Sequence, residues 1–197
     1  MIIWLNGSYG VGKTQTAYEL NKRIKNSFVY DPENIGYFLD NNLPSELSRI
    51  RDNNFQNYPL WREINYKIIS YIKSNYDGIL IIPMTVINKQ YYDELIGRLN
   101  QEFDVKHFIL SSTSETNLKR LAKRFDSNNL WALLQLEVCQ KAFENEISGI
   151  KIETDDLNIS EVAELIANQL NITLIEDKRN DFQKKLDRLK TQIKHIR

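Results

Sequence analysis

The sequence predicts an α/β fold: a parallel five-stranded sheet with helices on both faces, followed by an amphipathic C-terminal helix. Three observations predict it. Short apolar runs alternate with helical patterns, which is the layout of successive βαβ units. The first strand-to-helix junction reads Gly7-Ser8-Tyr9-Gly10-Val11-Gly12-Lys13-Thr14 and matches G-x-x-x-x-G-K-[ST] at every fixed position. The stretch 179–197 breaks the alternation with a basic amphipathic pattern.

Each element has its own justification. Ile2, Ile3, Trp4 and Leu5 form an apolar run suited to a strand buried on both faces. The helix after it spans 13–25, with Ala17, Leu20 and Ile24 on one stripe. Further strands are expected at 28–30, 79–82, 106–110 and 150–152. Helical patterns occupy 59–74, 89–102, 115–125, 132–145 and 160–170. Ser160, followed by Glu161 and Glu164, suggests a capped helix start there. The region 36–57 is polar and weakly periodic, and reads as a surface loop with one short helix or as an insertion shaping a pocket. In the last segment, Phe182, Leu186, Leu189, Ile193 and Ile196 recur at spacings of four and three. From Phe182 onward six Lys/Arg accompany a single acid, Asp187. Such a helix packs on its own domain, pairs with a second copy as a homodimer, or lies on an anionic membrane surface. The expected organisation is one domain over 1–175 and the basic helix over 176–197.

Composition narrows the function. A chain of 197 residues is of single-domain size and large enough for a substantial core. Net charge is zero, so no global field favours nucleic acid, and no nucleic-acid partner is expected. One cysteine, Cys139, excludes an intrachain disulfide framework and fits a cytoplasmic setting, where it reads as a small helix residue. There is no signal-peptide pattern and no apolar run of membrane-spanning length. His107 and His195 lie far apart and offer no metal-ligand spacing.

The loop 7–14 is a phosphate cradle, a P-loop of the Walker A type. Backbone N–H groups at a helix N-terminus favour anions, and glycines let the chain wrap around phosphate oxygens. Lys13 reaches the β- and γ-phosphates, and the Thr14 hydroxyl binds Mg²⁺. A P-loop alone does not distinguish kinase, switch and motor. No arrangement typical of GTPases is visible, and the layout suits a small-molecule kinase using ATP and Mg²⁺. Asp31, directly after the second strand, is the candidate to orient or deprotonate an acceptor hydroxyl. Asp31-Pro32 also reads as a helix cap followed by a first-turn proline, and the two roles weigh evenly. Leu118-Lys119-Arg120-Leu121-Ala122-Lys123-Arg124 is a lid candidate, with the two leucines and Ala122 on one side. Arg120 and Arg124 are the residues to clamp transferring phosphate. Thr154-Asp155-Asp156-Leu157 is a weak candidate for the nucleotide-base loop. No acid ends the third strand, which runs into Pro83-Met84-Thr85.

Several strings make the chain resemble the bacterial tunicamycin-resistance proteins, a branch of P-loop kinase-like ATP-binding proteins. They are MIIWLNGSYGVGKTQTAYEL, VYDPENIG, FQNYPLWR, GILIIPMT, IGRL and KHIR, spread nearly end to end. The resemblance implies ATP binding through loop 7–14, resistance to a nucleoside antibiotic such as tunicamycin, and a C-terminal helix that touches a membrane peripherally. The missing acid after the third strand belongs to the same family pattern. The architecture is also similar to chloramphenicol phosphotransferases, in which an Asp after the second strand serves as base; Asp31 holds the matching place. Whether the drug is phosphorylated or merely held stays open. Arg62 and Arg98 lie in family-like strings and are candidates to meet an anionic part of the substrate, with Tyr58 among the aromatics, beside Phe55 and Trp61, of an apolar groove. Trp61, Ile64, Ile68 and Ile72 read equally as a core stripe, the preferred reading for Trp61.

Overall fold

The computed structural model describes residues 1–48, 54–122 and 129–195. Five parallel strands lie in the order β2-β3-β1-β4-β5. They are β1 (Ile2–Gly7), β2 (Ser27–Val29), β3 (Ile79–Pro83), β4 (Val105–Ser111) and β5 (Ile150–Glu153). β1 is central: Ile2 lies opposite Leu80 of β3 on one side and Val105 of β4 on the other. The chain leaves β1 towards β2 and β3 and later crosses to β4. The crevice at the carboxyl end of β1 is therefore the topological switch point, where ligands bind in open parallel sheets.

Strand alternation gives each face its own core. Ile2, Trp4, Leu80 and Ile82 point to one face. There they meet α4 (Pro59–Asn75) through Trp61 and Ile69, and a continuous helix through Leu95 and Leu99. That helix runs as α5 (Lys89–Tyr92), a π-helical turn (Asp93–Gly97) and α6 (Arg98–Glu102). Ile3, Leu5, Ile81 and Leu110 point to the other face. Their partners are α1 (Lys13–Arg23) through Ala17 and Leu20, and α9 (Ile159–Gln169) through Val162, Ala163 and Ile166. A smaller cluster seats α8 (Asn129–Asn145) against Ile109 of β4 through Cys139 and Phe143. Cys139 is fully buried, and burial pushes its thiol up to about 11, so it behaves as a small core residue.

Some local expectations need correction. The region 36–57 holds most of α2 (Glu33–Asn42), a short α3 (Ser45–Ser48) and a 3₁₀ turn (Phe55–Asn57), which is more helix than the loop reading allowed. α9 is capped by Asn158, not Ser160: its side chain accepts from the Ser160 and Glu161 amides, and Glu161 answers with a bond from the Asn158 amide. On α7 (Ser114–Ala122), Leu121 is buried but Leu118 is 43% exposed, so the two do not share a packed side. On α4 the buried residues are Trp61, Arg62, Asn65, Tyr66 and Ile69, while Ile64 and Ile72 of the predicted stripe are partly buried against the same core.

α10 (Asp181–Lys194) docks on α1 by its polar side. Arg179, just before it, bonds Glu19 at 2.6 Å, Asp177 at 2.7 Å and Asp187 at 3.0 Å. Lys22 reaches Asp187 at 2.5 Å. These bonds hold the Asp177 and Asp187 carboxyls well below the usual carboxylate range. Phe182, Leu186, Leu189 and Ile193, the apolar stripe, stay exposed. Among the described residues no helix is long and apolar enough to cross a membrane.

Candidate active site

Three glycines shape loop 7–14, all with positive φ: Gly7 at 140°, Gly10 at 82° and Gly12 at 104°. Gly7 is the most constrained, because a Cβ there would stand 2.3 Å from the Leu110 carbonyl oxygen. Gly10 occupies a variable position of the motif, yet a Cβ there would meet Leu121 at 2.9 Å. Gly12 is left-handed immediately before α1, so the loop turns straight into the helix N-terminus. The backbone amides of that first turn, pointing towards the loop, make the cradle attractive to phosphate.

Side chains absent from the motif hold the cradle. Asn6, fully buried, accepts from the Gly7 and Val86 amides at 2.9 Å each and donates to the Val86 carbonyl at 2.8 Å. Its amide also meets His107 Nε2 at 3.2 Å, while His107 Nδ1 lies 2.8 Å from the Ser148 carbonyl. The consistent tautomer donates from Nδ1 and accepts at Nε2. Burial lowers the His107 pKa, favouring that neutral ring. Thr85 donates to the Gly7 carbonyl at 2.8 Å, where many P-loop proteins place an acid. Asn117 of α7 donates to the Ser8 hydroxyl at 3.1 Å and accepts from Ser112 at 2.8 Å. The sequence signal for Asn6 and Thr85 is modest: a polar residue that closes an apolar strand run.

A cavity of about 480 Å³ opens over the cradle. It is lined by Tyr9, by residues 10–15 and by Asp31, and also by Thr85, Arg120 and Leu157. Lys13 donates to the Gly7 and Ser8 carbonyls at 2.9 Å each, folded onto the loop that carries it. Thr14 lines the cavity from the first turn of α1. Asp31 is 8% exposed, lines the cavity and also bonds the start of α2. One of its oxygens accepts from the Glu33 amide at 3.0 Å, capping α2, and the other lies 3.3 Å from His195 Nδ1. The His195 Nε2 meets the Tyr18 hydroxyl at 3.1 Å. Sequence reasoning missed this wall: α10 contributes Arg188, Thr191 and Gln192, and His195 follows at its C-terminal end.

The remaining candidates fall elsewhere. Arg120 reaches the cavity, with its guanidinium on the Thr154 hydroxyl at 2.9 Å and the Thr154 carbonyl at 2.5 Å. Arg124 lies outside the described residues. Tyr58, Arg62 and Arg98 do not line the cavity. Tyr58 and Trp61 are buried in the core with Phe55 packed against them, so these aromatics fill an interior and leave no open groove. Arg62 pairs with Glu94, donates to the Gln56 carbonyl at 2.5 Å and stacks over Tyr91 at 4.2 Å, as an internal brace. Arg98 lies over the Tyr66 ring at 3.4 Å and pairs with Glu63 at 2.8 Å. In the base-loop candidate, Asp155 accepts from the Thr113 amide and hydroxyl at 3.0 and 2.6 Å, which lowers its pKa and fixes the turn.

This architecture recurs in solved proteins. The tunicamycin resistance protein of Deinococcus radiodurans superposes with a TM-score of 0.71 at 28% identity, over 89% of this chain and 99% of that one. The chain is similar to a tunicamycin-resistance protein along most of its length. A deoxyadenosine kinase from M. mycoides shares the fold, with a TM-score of 0.54 at 20% identity over 87% of this chain and 99% of that one. The shikimate kinase of Bacteroides thetaiotaomicron does too, at 0.55 and 18% over the same shares. No protein-family model and no curated protein matches the sequence. The resemblance to tunicamycin-resistance proteins and the kinase-like P-loop fold are thus both borne out.

Proposed function

We propose that this chain transfers the γ-phosphoryl group of ATP to a hydroxyl of a small molecule, and that a tunicamycin-like nucleoside antibiotic is such an acceptor. The observation that carries the reading is a single cavity joining the glycine cradle to Asp31. The amides of loop 7–14 and Lys13 hold the β- and γ-phosphates once Lys13 leaves the Gly7 and Ser8 carbonyls. Thr14 fits a Mg²⁺ site, as a hydroxyl at the start of α1 beside that cradle; the ion, when bound, neutralises charge on the phosphates. Asp31 orients the acceptor hydroxyl and receives its proton as the oxygen bonds to the γ-phosphorus and the β–γ bridge breaks, releasing ADP. Arg120 turns from Thr154 to the transferring charge, joined by Arg124. The segment 176–197 docks on α1 by its polar side and turns its apolar stripe outward. Its exposed apolar stripe suits contact with an anionic lipid surface, which vesicle flotation tests directly.

A second reading, binding without transfer, is favoured by one feature. No carboxylate follows β3, and both Asp31 oxygens already have partners. Mass spectrometry of tunicamycin after incubation with protein, ATP and Mg²⁺ separates the two, with Lys13→Ala as control. A gain of one phosphoryl group, absent in the control, supports transfer. An unchanged drug that co-purifies with the protein supports sequestration, and a drug neither altered nor bound removes it as ligand.

A further inference from the structure

We infer that Arg188, carried by the C-terminal helix, is a polyphosphate-binding residue of the P-loop cavity. The inference rests on the reading that loop 7–14 binds a nucleoside triphosphate. Arg188 comes from a segment that no P-loop motif includes, yet it lines the same cavity as Lys13 and Thr14. Its own backbone is pinned there: Gln15, the residue after Thr14, donates through Nε2 to the Arg188 carbonyl at 3.0 Å.

The charges around it decide the matter. The other cations that dock α10 are paired. Arg179 binds three carboxylates, Lys22 binds Asp187, and Lys184 lies 3.3 Å from Asp177. The half-buried Arg188 guanidinium pairs with no carboxylate among the described residues. It lines a cavity together with Lys13, Arg120 and the positive end of α1, against two carboxylates, Asp31 and Glu33. The basic side chains there outnumber the carboxylates, and an anion bound among them offsets their mutual repulsion. A guanidinium fork matches phosphate oxygens in a bidentate way, and polyphosphate supplies several. Arg120, the cation assigned by sequence reasoning, is engaged by Thr154, so α10 brings the cation that stands ready. On this account α10 is a wall of the binding cavity, held at one end by Arg179 and at the other by the His195–Asp31 contact.

The test is ATP affinity by calorimetry on the full chain. Arg188→Gln is expected to weaken ATP binding about tenfold or more, the usual scale for a lost charge-assisted bond. Arg188→Lys is expected to restore part of it, and the melting temperature to stay unchanged, because the guanidinium has no internal partner to lose. Undocking α10 with Arg179→Ala supplies the second arm: in that background Arg188→Gln should add little further loss. An affinity within threefold of wild type in Arg188→Gln overturns the inference, as does a full extra loss in the undocked background. If Lys13→Ala also leaves ATP binding intact, the P-loop reading itself has failed, which the Arg188 variants alone would not show.

Discussion

The cradle and α10 border one cavity but are held by opposite chemistry. The cradle sits at the ends of buried strands, and its supports are buried amides and hydroxyls: Asn6, Thr85, Asn117. α10 is held by charges partly open to water, with its apolar stripe outward. Buried hydrogen bonds are expensive to break because the orphaned group stays desolvated. Exposed ion pairs are individually weak and screened by salt. The molecule thus pairs a stiff glycine cradle with a wall that can come away.

The largest effect should come from the cradle backbone. Gly7→Ala places a Cβ against the Leu110 carbonyl at a φ that L-residues avoid. Urea unfolding should show a loss of roughly 3 kcal/mol or more. An unchanged midpoint would mean that the close approach between β1 and β4 is not a real constraint. Next comes Asn6→Ala, which leaves the Gly7 and Val86 amides buried without their acceptor. About 2–3 kcal/mol is expected, with nucleotide binding weakened alongside. If binding holds while stability drops, Asn6 supports the sheet end without shaping the cradle.

On the other side of the comparison, Arg179→Ala should act locally. It unpairs Glu19, which is 6% exposed, and loosens Asp177 and Asp187. Breaking one partner of a well-buried pair costs about 3–5 kcal/mol, but solvent access around Arg179 should reduce that to about 1–2 kcal/mol. Hydrogen exchange should quicken across α10 and leave β1 protected. Equal acceleration in β1 would show that α10 and the sheet unfold together and that the contrast is false.

What the sequence disclosed follows the same division. Apolar runs announced the five strands to within about two residues, most clearly β1 and β3, which are buried on both faces and so have little freedom in composition. The G-x-x-x-x-G-K-[ST] motif announced the cradle, because only glycines tolerate its φ values. α2 was obscured because only Gly36 and Leu39 of its ten residues are buried; its signal was the Asp31-Pro32 start. The π-helical turn at Asp93–Gly97 was invisible, since it continues an α pattern. For α10 the period was legible and the docking face was not. Periodicity says which residues share a side, and here the charged side meets α1. The cavity wall from Arg188 to His195 was hidden for that reason.

The smallest effect expected near neutrality is that of pH, and it separates the two regions by where each begins to fail. His107, lowered by burial, stands behind Asn6. A base with a depressed folded pKa favours the unfolded chain as pH falls below its ordinary value of about 6.5, because the unfolded state takes the proton first. The loss continues until the folded pKa is reached. Asp177 and Asp187 are also depressed, but from about 3.9, so the stability they give α10 is complete above that value and is lost only as pH falls through their folded values. Lowering the pH from 7.5 to 5.5 in steps should therefore lower the global melting temperature slightly, while α10 exchange, corrected for global opening, stays constant. His107→Gln should flatten the melting-temperature slope over that interval. If α10 loosens first, its ion-pair attachment is the more pH-sensitive of the two regions and the contrast with the cradle fails over that interval.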